Sequence, residues 1–179
     1  MPTRVIGVGS LDEPEQHATL LESRGMSGRY LYLSHRWEKN PRFRTLRSNL
    51  QHSQQALPMD QASHTFRDAI EVTRQLGFRH LWTYSLCIVQ DDENDWMLRS
   101  QKMGNIFESS TCMIAAVDVL GEDGIDRGLF LPRDCDPLAV RLALPYEKAP
   151  LAAFSERLCK KYNRKKYSRV YIWKLRWLV

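Results

Sequence analysis

Leu81-Trp82-Thr83-Tyr84-Ser85-Leu86-Cys87-Ile88-Val89-Gln90-Asp91-Asp92 is the stretch whose reading decides the fold. It is an apolar run that stops abruptly at two carboxylates. It follows a helical pattern after a single glycine, Gly77, and its second half shows no polar alternation. An apolar segment without alternation suits a strand buried on both faces, as in a parallel sheet. The reading is therefore one strand over Phe78 to Val89, with chemistry placed at its carboxyl end.

The flanking segments support this order. Thr65 to Leu76 predicts a helix, because Phe66, Ala69, Ile70, Thr73 and Leu76 fall on one face at spacings of three or four. Ser63 or Thr65 can cap its start and Gly77 ends it. On the far side, Asp91, Asp92, Glu93 and Asp95 crowd the start of a second helix, where negative charge suits the helix dipole. Trp96, Ser100, Met103 and Phe107 continue along one stripe of it. Tyr30 to His35 and Thr111 to Val117 read as further strands, and residues 4–9 as a short first one. Gly7-Val8-Gly9 lacks the third glycine of a phosphate loop, so it reads as a plain turn. Residues 38–57 are polar and basic and predict a long surface excursion. Strands alternating with helices imply a parallel sheet with helices packed against it. Ligands in such folds sit beyond the carboxyl ends of the strands. The expected cleft is lined by Ser34, His35, Trp37 and Gln90, with Asp91, Asp92 and Asp95 beside it.

Composition narrows the class. The chain has 179 residues, 43% of them hydrophobic, enough for a core. No apolar run approaches the roughly 20 residues of a membrane span, and the N-terminus lacks the apolar core of a signal peptide. The expected location is the cytoplasm. Cys87, Cys112, Cys135 and Cys159 are scattered, as are the five histidines, so neither a disulfide framework nor a metal site is expected. Cys87 and Cys112 read as buried free thiols. The net charge of +5 belongs to one end of the chain. Nine of the 26 Lys and Arg lie in residues 157–179, which hold no acid; the other 17 face 21 acids, leaving −4 for residues 1–156. No nucleic-acid partner is expected for the body of the protein.

Several ordered blocks together resemble the heterokaryon incompatibility (HET) domain of fungi. They are Tyr30-x-x-Leu33-Ser34-His35-x-Trp37, Thr65-Phe66-Arg67-Asp68-Ala69-Ile70 through Leu76-Gly77, and Leu81-Trp82-x-x-Ser85-Leu86-Cys87-Ile88-x-Gln90-Asp91-Asp92-x-x-Asp95-Trp96. Met103-x-x-Ile106-Phe107, Ile114-Ala115-Ala116 and Gly128-Leu129-Phe130 complete the set. The resemblance implies a signalling or interaction module in nonself recognition and programmed cell death. It also implies an α/β domain of the TIR/flavodoxin-like, three-layer kind, with long surface loops. Its partners would be proteins, through self-association or with products of incompatibility loci. No cofactor is implied; NAD enters as the substrate of an alternative reading, a TIR-like NAD glycohydrolase. The organisation expected is a lead-in over 1–28, the HET domain over 29–147 and a basic aromatic tail over 148–179, where the resemblance is lost.

The chain departs from the family pattern at chemically weighty places. Tyr84 stands where an Asp is usual, and Arg99 where a Glu is common. A guanidinium cannot act as a base. The catalytic residues are thus unassigned, with Asp91, Asp92 and Asp95 as the candidates, and this copy reads as degenerate if its relatives are enzymes. For those three acids the preferred reading is capping and dipole pairing; the alternative is a carboxylate that binds a ribose hydroxyl or polarises a glycosidic bond. Ser34 and His35, adjacent on a strand end, point to opposite faces and cannot pair as nucleophile and base. Cys87, Trp82 and Trp96 read as core residues, while Trp37 is open between packing and ligand contact. The tail has three readings: a solvated extension, an anionic-membrane contact, or translated non-coding sequence in place of the family's third block.

Overall fold

The computed structural model describes residues 1–12, 17–36, 41–116 and 125–130, together with the backbone of Val170–Trp173. Among the described residues, six strands form one sheet in the order β2-β1-β4-β3-β5-β6. They are β1 (Arg4–Gly7), β2 (Thr19–Glu22), β3 (Leu31–Ser34), β4 (His80–Trp82), β5 (Cys112–Ala116) and β6 (Val170–Trp173). The helices are α1 (Leu50–Gln55), α2 (His64–Gln75), α3 (Tyr84–Cys87), α4 (Glu93–Ser100) and α5 (Met103–Glu108). The chain is α/β, as its alternating pattern predicts.

The sheet is mixed where a parallel one is expected. β3 runs parallel to both β4 and β5, and this trio is the predicted core. β1 is antiparallel to β2 and to β4, and β6 is antiparallel to β5. The reason for the first reversal is length. A parallel crossover needs a dozen or more residues, usually including a helix, and the short link between Gly7 and Thr19 leaves no room for one.

The decisive segment also divides. Only His80–Trp82 is strand; Thr83 turns the chain and Tyr84–Cys87 form a helical turn. A short apolar run fits a buried strand or a buried helix equally well, and tertiary contacts choose between them. Here the choice comes from residues 42–47. Thr45 N–H donates to the Ser85 carbonyl at 3.1 Å, Thr45 Oγ1 donates to the Leu86 carbonyl at 2.6 Å, and Gln90 N–H donates to the Thr45 carbonyl at 2.9 Å. Those contacts complete the backbone pairing of a turn that a strand ladder would otherwise provide. They also correct the reading of 38–57 as a surface excursion. Phe43, Thr45, Ser53 and Leu57 are buried, and residues 50–55 are helical.

Helix α2 buries Phe66, Ala69, Ile70, Val72 and Thr73 and ends at Gly77, whose φ of +75° is the left-handed conformation that favours glycine at a helix stop. Tyr32 stacks on Trp82 (5.1 Å between centroids) and meets the edge of Phe107 of α5 at 5.4 Å. The predicted long stripe from Trp96 to Phe107 is broken at Gln101 and Lys102 into α4 and α5. Helix α4 buries none of its residues, and Trp96 is 53% exposed where a core tryptophan is expected; Trp82, at 2%, is in the core. Cys87 is a buried free thiol, pushed up to about 12 by burial. Cys112, expected to be buried, is half-buried. No helix among the described residues is long and apolar enough to cross a membrane.

Candidate functional site

The parallel pair β3–β4 ends at Ser34 and Trp82, and the two residues that follow these strands meet. His35 Nδ1 lies 3.2 Å from Thr83 Oγ1. The Tyr84 ring stacks on the imidazole at 4.7 Å with 6° between planes, and the Tyr84 hydroxyl donates to the His35 carbonyl at 2.8 Å. Phe66 of α2 presses its edge on the same imidazole at 4.8 Å. Enclosure of this kind penalises a charged ring. Burial pulls the His35 pKa down to about 4, against the smaller opposing effects of a backbone hydrogen bond at Leu33 and of the nearby Asp126 carboxylate. His35 is therefore neutral at pH 7. Burial also pushes the Tyr84 hydroxyl up to about 12.

A second cluster lies at the start of α2. Asp126 accepts from Thr65 N–H at 2.9 Å, from Thr65 Oγ1 at 2.7 Å and from Gly128 N–H at 2.9 Å. Burial alone would raise its pKa; these hydrogen bonds and one from Ser63 outweigh it and hold the carboxyl below the ordinary range. Asp68 accepts from Leu129 N–H at 2.7 Å, yet burial leaves its pKa raised. The 125–130 segment is thus clasped by two acids of opposite tendency. A Cβ on Gly128, at φ +76°, would run into Asp68 Oδ2 and stand 3.0 Å from His64 Cβ. Gly128→Ala should therefore cost about 1–3 kcal/mol. Gly77→Ala, with the same sign of φ and nothing within 4 Å of the new carbon, should cost only about 1 kcal/mol. Urea midpoints of the two variants check this; equal losses would mean the clasp is not felt.

The predicted site residues divide between two places. Ser34 and His35 stand at the end of β3 as expected, and Trp37 lies outside the described residues. Gln90 is tied to His35 through Tyr84, because the Gln90 side-chain amide donates to the Tyr84 and Ile88 carbonyls at 2.8 Å each. The three acids fasten backbone. Asp91 accepts from Arg47 N–H at 2.8 Å. Asp92 caps α4 by accepting from Asp95 N–H at 3.1 Å and pairs with Arg47 at 3.1 Å. Those bonds lower its pKa, the capping contact most. Asp95 accepts from Val89 N–H at 2.9 Å, from Arg99 Nε at 3.2 Å and from the Arg4 guanidinium.

Sequence reading did not single out Thr83, Asp68 or Asp126 as site residues. The signal for Asp126 was present: an Asp two residues before a glycine, in a glycine-marked loop, is a local turn-former. Thr83 is hidden in the sequence because it sits inside a run that reads as one unbroken strand, whereas the strand ends at Trp82. Chemically, the crest pairs a neutral imidazole with a neutral phenol. Acid–base catalysis is most effective with a pKa near the working pH, and these two groups lie on either side of it.

An open mixed sheet whose parallel centre delivers a half-buried histidine to its carboxyl edge, braced by a clasped loop, is an α/β module of the class read from the sequence. Residues 30–173 match the family described as heterokaryon incompatibility protein (HET), and the chain belongs to that family. The match takes in β6 and much of the segment read as a tail of lost resemblance. No curated protein and no solved structure matches the chain.

Proposed function

We propose that this chain is a non-enzymatic signalling module: it relays nonself recognition after fungal cell fusion to programmed cell death, in the cytoplasm and through protein partners, including copies of itself. The supporting observation is the state of the carboxylates at the sheet's edge. Asp91, Asp92 and Asp95 all accept backbone hydrogen bonds that hold the α4 turn. The crest beside them carries Tyr84 in an acid's usual place. A three-layer TIR/flavodoxin-like arrangement is part of this proposal, supported by the contacts of α5 with Tyr32 and of α2 with the His35 ring.

Two measurements test it together. The purified chain should release no nicotinamide from NAD, and induced expression in a filamentous fungus should arrest growth. NAD turnover abolished by Asp92→Ala would replace this reading with that of a glycohydrolase. Unimpeded growth at verified expression would remove the cell-death role.

A further inference from the structure

On the face of the sheet that carries Tyr30 and Trp82, a cleft of about 630 Å³ opens between the strands, the N-terminal residues and the α4–α5 corner. That volume is in the range of small-molecule sites. Arg4, Arg99 and Lys102 line it, and Asp95, paired with both arginines, offsets one of their three charges. Arg99 is held in place: its Nε is 3.2 Å from Asp95, and its NH1 donates to Thr3 Oγ1 at 2.6 Å. Lys102 is exposed and has no ion-pair partner among the described residues. Three and seven positions on, Asn105 and Ser109 also line the cleft, so this side of the corner offers one cation and two neutral donors in a row. Ile106 adds an apolar wall.

We infer that this cleft binds a small soluble phosphate monoester, with the phosphate between Arg99 and Lys102 and the rest of the molecule along Asn105 and Ser109. A fixed guanidinium matches the paired oxygens of a phosphate, and the ammonium adds a mobile point charge. The position lies away from His35, so it does not depend on the chemistry of the strand crest.

Binding to the untagged chain is measured by calorimetry at low salt with adenosine monophosphate, glycerol 3-phosphate and adenosine. Vesicles of phosphatidylcholine with phosphatidylinositol 4-phosphate form a fourth arm. Both soluble phosphates should bind and adenosine should not. Lys102→Glu should weaken binding at least tenfold, and so should Ser109→Asp, each with an unchanged urea midpoint. Failure of both phosphates at millimolar concentration would overturn the inference. So would equal binding of adenosine, equal binding by both variants, or binding to vesicles alone.

Discussion

Asp95→Ala should remove about 3–5 kcal/mol of stability, the expected loss when one partner of a buried ion pair is deleted. Asp95 is the single carboxylate facing Arg4 on β1 and Arg99 on α4 among the described ion pairs, and the Val89 N–H needs it as well. Arg4 is buried, and its Nε donates to the Cys87 carbonyl at 3.0 Å. Without Asp95 a guanidinium remains in the interior with one carbonyl for company, and the turn into α4 loses its tie to the first strand. Asp91→Ala, which gives up one bond to an exposed backbone amide, should change little. Chemical denaturation of both variants is the measurement. In the double variant with Arg4→Met, the loss should fall short of the sum of the singles by about 1–3 kcal/mol. Strict additivity, or an Asp95→Ala loss no larger than that of Asp91→Ala, would show that Asp95 is not the hub.

Acid should weaken the fold through His35. Its folded pKa of about 4 lies below the ordinary 6.5 because the enclosed, half-buried ring loses solvation when charged. The unfolded chain therefore binds the proton first. This contribution is fully present above pH 6.5 and is lost as pH falls from there toward 4. From pH 7.5 to 4.5 the loss comes to about 2–3 kcal/mol. Asp68, with its raised pKa, works in the opposite sense at the acid end, and Asp126, with its lowered one, gives way only below the ordinary carboxylate range. His35→Phe keeps a ring against Tyr84 and removes the titration. Its urea midpoint should fall less steeply between pH 7.5 and 4.5 than that of the parent chain. Parallel pH profiles would mean that His35 is solvated or paired in a way this geometry does not show.

The elements most legible in the sequence were those with one strong period. Helix α2 announces itself by Phe66, Ala69 and Ile70 and by its glycine stop, and β3 by its aromatic run. Asp92 is legible as a cap because an acid before a helix has a local job. The errors share a different cause. Residues 86–89 are apolar without a break, and Thr83 and Ser85 before them fit a strand's alternation as well as a turn; no period separates the two, and the deciding partner, Thr45, is forty residues away in a stretch read as surface. Trp96 misled because an aromatic residue on a helix is ordinarily buried, whereas α4 is moored at its start by Asp92 and Asp95 and not by an apolar face. Asp126 reaches His35's neighbourhood through the fold alone.

The strand order carries a consequence for how the chain is made. Its central trio is complete once residue 116 has been added, yet the outer flank of β5 receives its partner only with Val170–Trp173. During synthesis, and in any fragment cut at the end of the 29–147 segment, β5 lacks its β6 partner, and an unpaired strand edge is able to recruit a foreign strand. The Val170–Trp173 strand thus serves as a cover for a sticky border, and versions shortened ahead of it are expected to precipitate first.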